Sequence, residues 1–251
     1  MANLQKIVGW LDAELNTSEI QDYPGAMNGL QLENDGEVSC VISAVDASLA
    51  AVQEAAKIPG SLLLVHHGMF WQGSQPLIGP FFRKIKAAMD ANMAIYSSHL
   101  PLDMHPVFGN NVLLAEALGL VSVEPILMKN GWPMGVAGEW KGNRDEFATK
   151  VSKAVGRDVH VCPGGSSEIR TVAVITGGAG SEGAKISALK IDAFVTGEGP
   201  HWSFIDAEER GLNVFYAGHY ATETFGVRRL GEMIAERFGL DRHYIARVGG
   251  L

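Results

Sequence analysis

The chain has 251 residues, a formal net charge of −8, 47% hydrophobic residues and 19% charged ones. That is enough for one large or two modest domains with real cores, in the composition of an ordinary soluble globular protein. The negative charge argues against a surface built to coat nucleic acid, and two cysteines are too few for a disulfide framework. No apolar run approaches the roughly eighteen residues of a membrane span, so a reducing cytoplasm is the expected setting.

At the start of the chain Leu4, Ile7, Val8, Leu11 and Leu15 recur at helical spacing, with Asp12 and Glu14 between them. From there, short apolar segments alternate with helical patterns. Val41–Val45, Leu62–Val65 and Ala94–Ser97 read as strands, with Ser48–Lys57 and Pro80–Asn92 as the intervening helices. The stretch Trp132–Val161 reads differently, with Glu139–Gly142 as a strand edge or turn and Asp145–Val155 as a helix. Strands resume at Thr171–Ile175, Ala193–Val195 and Asn213–Tyr216, separated by helices over Ser181–Leu189 and His201–Arg210. A final helix spans Thr224–Phe238. Such alternation implies βαβ units around a mostly parallel sheet.

The chain also resembles itself. VISAVDASLAAVQEAAKIPGSLLLVHHGMFW, from Val41, aligns with VAVITGGAGSEGAKISALKIDAFVTGEGPHW, from Val172. The parallel continues from AIYSSHLPLD at Ala94 to VFYAGHYATE at Val214, each a strand followed by His, three residues and a carboxylate. The expected fold is α/β: two related lobes with mostly parallel or mixed sheets flanked by helices. The first lobe would take residues 1–124 with 216–251 and carry most of the candidate metal ligands named below, and the second 125–215.

The candidate chemistry lies in three clusters: His66 with His67, His99 with Asp103, and His219 with Glu223. Each follows an apolar strand, and in a parallel sheet such positions gather at the carboxyl edge where ligands bind. Imidazole and carboxylate suit Zn, Mn, Fe, Co or Ni rather than a thiolate zinc site. Adjacent histidines at a strand end can diverge to two ions, and a carboxylate can bridge them. Glu223, four residues after His219, suits that role if the turn opens a helix. Pro101 disfavours helical geometry at Leu100, so that segment reads as a turn and His99 need not point with Asp103. His105, His160, His201 and His243 lack comparable context. Thr176–Gly180 (TGGAG) reads better as a tight turn than as a phosphate cradle, for it has no following Lys-Ser/Thr and no G-x-G-x-x-G. No nucleophile elbow appears, and neither Cys40 nor Cys162 has an obvious histidine partner.

NGLQ (Asn28–Gln31), VHHGMFW (Val65–Trp71), HLPLD (His99–Asp103), TGE (Thr196–Glu198) and GHYATE (Gly218–Glu223) together resemble, in order and over essentially the whole chain, the Nif-three-like dinuclear-metal proteins, also known as type 2 GTP cyclohydrolase I homologues. The resemblance implies two divalent ions per subunit, held by His66, His67, Asp103, His219 and Glu223. By the family pattern His67 and Asp103 serve one ion, His66 and His219 the other, and Glu223 bridges. It also implies a homo-oligomer, a toroidal hexamer with sites facing an internal cavity. Tyr220 departs from the pattern, standing where some members repeat His.

Two such ions would acidify a bridging water and polarise an electrophile, so hydrolysis is the default reaction class. A nucleotide or a similar small molecule is the expected substrate, with opening of a guanine ring, phosphoester cleavage and amide cleavage as the candidate reactions. His99 is the candidate proton shuttle or positioning group and Glu198 a weaker candidate of the same kind. Trp71 and Trp202 are candidate aromatic walls, although packing is the simpler role for each. A different class of function, a metal-dependent regulatory ring or metallochaperone without turnover, accommodates the same residues.

Overall fold

A computed structural model describes residues 1–249. Gly250 and Leu251, assigned above to the first lobe, lie outside the described residues. The chain begins β1 (Ala2–Asn3), α1 (Leu4–Glu14), β2 (Gly29–Leu32), β3 (Glu37–Val38), β4 (Cys40–Asp46), α2 (Leu49–Ala55), β5 (Leu62–His67), α3 (Gly79–Asp90) and β6 (Ala94–Ser97). It continues α4 (Leu100–Asp103), α5 (Asn110–Ala117), β7 (Val121–Lys129), β8 (Trp132–Asn143), α6 (Arg144–Val155), β9 (His160–Pro163) and β10 (Glu168–Val174). A 3-10 turn (Gly180–Glu182) leads to α7 (Gly183–Ala188), β11 (Ala193–Thr196), α8 (His201–Glu209), β12 (Asn213–Tyr216), α9 (His219–Thr222), α10 (Thr224–Phe238) and β13 (Asp241–Tyr244).

Two compact units result, one of Met1–Leu102 with Gly226–Arg247, the other centred on Asp103–Phe225. In unit 1 the sheet order is β13-β4-β5-β6-β2, with β13, β4, β5 and β6 parallel and β2 antiparallel on the edge. β4, β5 and β6 are buried almost throughout because helices cover both faces, which explains their unbroken apolar composition. Asn3 caps α1 by accepting the Lys6 N–H, and Leu4, Ile7, Val8 and Leu11 line its buried face.

In unit 2 the order is β7-β8-β10-β11-β12-β9, with β10, β11 and β12 parallel and the others antiparallel. Each unit thus carries three parallel strands in sequence order, with an antiparallel strand beside the third. That is the arrangement expected of the internal resemblance, and a mixed α/β architecture of sheets flanked by helices is what the chain adopts. β7 escapes the sequence pattern: Pro125, bulged pairing and positive φ at Ser122 and Leu127 erase any clean alternation.

The unit boundaries at 102/103 and 225/226 differ from the expected 124/125 and 215/216. Leu114, Ala115 and Leu118, in and just after α5, belong to the unit 2 core with Phe147, Val172 and Phe215. From Gly226 onward α10 belongs to unit 1, where Gly231 lies so close to Ser43 of β4 that a side chain would crowd its hydroxyl at 3.0 Å. The turn expected at Leu100 is helical instead: α4 begins there, and Pro101 sits in its first turn, where a backbone N–H has no helical partner to lose. Among the described residues no helix is long and apolar enough to cross a membrane.

Candidate metal centre

In unit 1, β5 delivers His66 and His67 at the carboxyl end of the sheet, and His99 follows two residues after the parallel neighbour β6. The three rings gather with centroids 4.7, 4.9 and 5.5 Å apart. One ligand atom from each lies within 4.8 Å of the others, so the group can hold a metal ion.

Each ring is oriented by its Nδ1. In His66, which is fully buried, Nδ1 meets the Ser98 carbonyl at 2.9 Å. His67 Nδ1 meets Asp46 Oδ1 at 2.9 Å, a contact set by register, since Asp46 pairs with His67 across β4 and β5. His99 Nδ1 meets both Asp22 oxygens at 3.0 and 3.1 Å. Carbonyls and carboxylates only accept, so Nδ1 carries the proton and Nε2 of a neutral ring keeps its lone pair for a ligand.

Asp22 is held in turn. It accepts from the backbone N–H groups of Tyr23 and Leu100 and from the Asn28 amide, while Asn28 Oδ1 accepts from the His99 backbone N–H at 2.7 Å. Burial pushes the Asp22 carboxyl up, but the hydrogen bond and charge of His99, with Asn28 and Tyr23, hold it below the usual range. Gln31 braces the turn after the histidines, accepting the Met69 N–H and donating to the Ala26 and Met27 carbonyls. A side chain at position 68 would collide with Gln31, so the glycine there permits this brace. Trp71, partly exposed, stands edge-on to His99 at 4.8 Å and to His67 at 5.6 Å.

In unit 2, His219 opens α9 after Gly218, whose φ of 93° and closeness to Arg157 suit only glycine. His219 Nδ1 meets Glu198 Oε1 at 2.9 Å, and Nε2 meets the buried Glu223 at 3.1 Å. The hydrogen bond to Glu223, with further help from its charge and from Glu198, outweighs burial and pushes the imidazole up to about 9. The Thr176–Gly177 turn borders both unit 2 carboxylates: Thr176 Oγ1 donates to Asp103 Oδ1 at 3.3 Å, and a side chain on Gly177 would strike Glu223. Asp103 also accepts from Asn110 at 2.8 Å, and Asn111 ties the Asp103 carbonyl to the Thr176 N–H. The TGGAG segment is therefore a tight turn, as its sequence suggested, and its glycine makes room for a carboxylate.

Glu198 orients His219 in this arrangement. His105 is spent on its own turn, its Nδ1 accepting from the Val107 and Phe108 N–H groups. His160 packs on Phe204, and His201 and His243 begin a helix and lie on an edge strand. Asp22, Asp46, Ser98, Asn110 and Asn111 were missed by sequence reasoning. Only Asp46 carried a signal, as the acid ending β4 beside the strand that ends in His67. All four histidines at strand ends have the orienting acceptor at Nδ1 that a metal ligand needs; His66, His67 and His99 leave Nε2 for a ligand, and His219 turns Nε2 toward Glu223, so the donor set fits a divalent ion once that proton is lost.

A model of the family described as Duf34/NIF3 (NGG1p interacting factor 3) matches residues 2–247. A Deinococcus radiodurans protein named GTP cyclohydrolase 1 type 2 homolog is 37% identical over 249 residues, covering 98% of this chain and 94% of its own. A Pyrococcus abyssi protein of the same name is 36% identical over 250 residues, covering 98% and 99%. The structure of a Thermus thermophilus protein, TTHA1606, superposes with a TM-score of 0.91 at 35% identity, covering 99% of this chain and all of that one.

Proposed function

The chain belongs to the Duf34/NIF3 family, and on that footing we propose that it is a dinuclear metal-dependent hydrolase of a nucleotide or a related small molecule. The observation that carries the reading is the shared preparation of the histidines. Each has Nδ1 committed to a carbonyl or carboxylate, so Nε2 is the atom that would ligate, in His219 after release of the proton it shares with Glu223. The family resemblance supplies the ligand set of two ions: His66, His67, Asp103, His219 and Glu223. When bound, such ions acidify water and polarise an electrophile.

The chain's own residues supply the rest. Asp22 fixes the His99 ring, and His99 accepts or delivers the proton that hydrolysis must move, at its Nε2. Asp46 and Glu198 hold the rings of His67 and His219, so that neither needs to reorganise when it ligates. Trp71 screens one side of His99 and His67 from water. The name of the relatives favours a guanine nucleotide among the candidate substrates. The resemblance also extends the proposal to a toroidal hexamer.

The test is turnover by protein loaded with Mn, Fe or Zn on nucleotide and phosphoester panels, with metal counted in each variant. Glu223→Gln is expected to lose or sharply weaken metal. His99→Ala is expected to keep metal and lose about 100-fold in turnover. Two ions retained at full occupancy in Glu223→Gln would remove the bridging role, and metal loss in His99→Ala would make His99 a ligand. If every metal form is inert while metal still controls a binding event, the protein is a regulatory ring or metallochaperone.

A further inference from the structure

Beside the unit 1 histidines lies a cavity of about 580 Å³ that the chemistry above does not use. It is built wholly from unit 1: the chain leaving β5 (Gly68, Met69, Trp71), the loop that follows, the first turns of α3, and Leu49. Its size is that of a small-molecule site. Gly68 and Met69 directly follow His67, and the Trp71 indole that forms one wall also touches the rings of His67 and His99. A ligand in the cavity therefore lies one indole away from the histidine cluster.

The lining is neutral except at one point. Trp71, Ile78 and Phe81 supply aromatic and apolar surface, Gln72 and Gln75 supply amides, and Lys84 is the only formally charged residue. Lys84 is half-buried on α3 and makes no hydrogen bond or close ion pair among the described residues. The carboxylate whose charge acts on it is Asp46, the same one that orients His67. Burial draws the Lys84 ammonium down from its ordinary range and the Asp46 charge opposes that, so the group is partly desolvated. A single ammonium, with no guanidinium fork beside it, recognises a compact point anion rather than a planar bidentate one, and phosphate is the commonest such group on small molecules.

We propose that this cavity is a substrate-binding subsite in which Lys84 anchors a phosphate monoester and Trp71 packs against the flat, less polar part of the same molecule. Lys84 is thus a specificity-determining residue that separates phosphorylated from unphosphorylated ligands and presents the rest of the molecule to the histidines. The inference rests on the small-molecule reading above for what lies next to the cavity. Its test needs no turnover, so an inert protein and an absent subsite are told apart.

Metal-loaded protein is titrated with AMP, GMP, adenosine and guanosine, by calorimetry and by indole fluorescence, in the wild type and in Lys84→Gln and Lys84→Arg. The monophosphates are expected to bind at least tenfold more tightly than the nucleosides, and more weakly as salt rises. Lys84→Gln should abolish that preference while leaving nucleoside binding, metal content and thermal stability unchanged; Lys84→Arg should retain most of it. Equal monophosphate affinity in Lys84→Gln and wild type overturns the proposal. So does a wild type that binds monophosphates no better than nucleosides, or that binds none of the four.

Discussion

Among the described residues, four imidazoles carry an oxygen acceptor at Nδ1, and the acceptor differs each time: a carbonyl for His66, and Asp46, Asp22 and Glu198 for His67, His99 and His219. His219 is distinct because its second nitrogen also faces a carboxylate, Glu223, so the metal-free ring stays protonated to about pH 9. Its folded-state pKa is raised above the ordinary 6.5. The stability it contributes is therefore fully present below about pH 6.5 and lost as pH rises through about 9. In thermal melts of metal-free protein, the advantage of the wild type over His219→Gln should shrink between pH 6 and pH 10; an advantage that grows contradicts this pairing. A ligating metal must displace that proton, so metal uptake should also tighten as pH rises toward 9 and release protons measurably.

At the scale of elements, the strand-to-helix turns decide where the carboxylates stand. The Thr176–Gly177 turn follows β10, with Thr222 accepting the Gly177 N–H and Thr196 donating to the Gly177 carbonyl. Gly177 has a φ of 68°, and any side chain there meets Glu223. Gly177→Ala should therefore push the Glu223 carboxylate out of place, at a cost of about 1–3 kcal/mol from the backbone strain. The readouts are metal content and the denaturant midpoint, and full metal binding at wild-type stability would mean the turn does not position Glu223. The single-turn helix α4 shows the same logic, since Pro101 costs nothing in a first turn and Asp103 closes it.

At the scale of the molecule, two units repeat one plan, three parallel strands in sequence order with an antiparallel strand beside the third. Metal held by the proposed ligand set would stabilise the folded chain, because the unfolded chain has no preformed site. At free metal about 1,000 times its dissociation constant, one ion adds about 4 kcal/mol. For a chain of this length that corresponds to a Tm about 8–16 °C higher than after chelation. Calorimetry before and after EDTA, with metal content checked, measures it, and an unchanged Tm after complete removal would show that the ions do not link to folding.

The sequence by itself determined the alternation of buried strands and helices, the internal resemblance, and the strand-end positions of His66, His67, His99 and His219. These are local properties, written in runs of apolar residues and in the types that follow them. β7 was not readable because Pro125 and irregular pairing break its period, and the helical turn at Pro101 was not because a proline's effect depends on its place in a helix. Only the tertiary structure decided what holds the histidines. Asp22 reaches His99 across 77 positions and Asp46 reaches His67 across 21, and such pairings follow from sheet register and loop closure, which no window of sequence contains. The cavity beside Trp71 is of the same kind: its lysine is one of many in the sequence, and only the packing of α3 beside the end of β5 gives it a site to face.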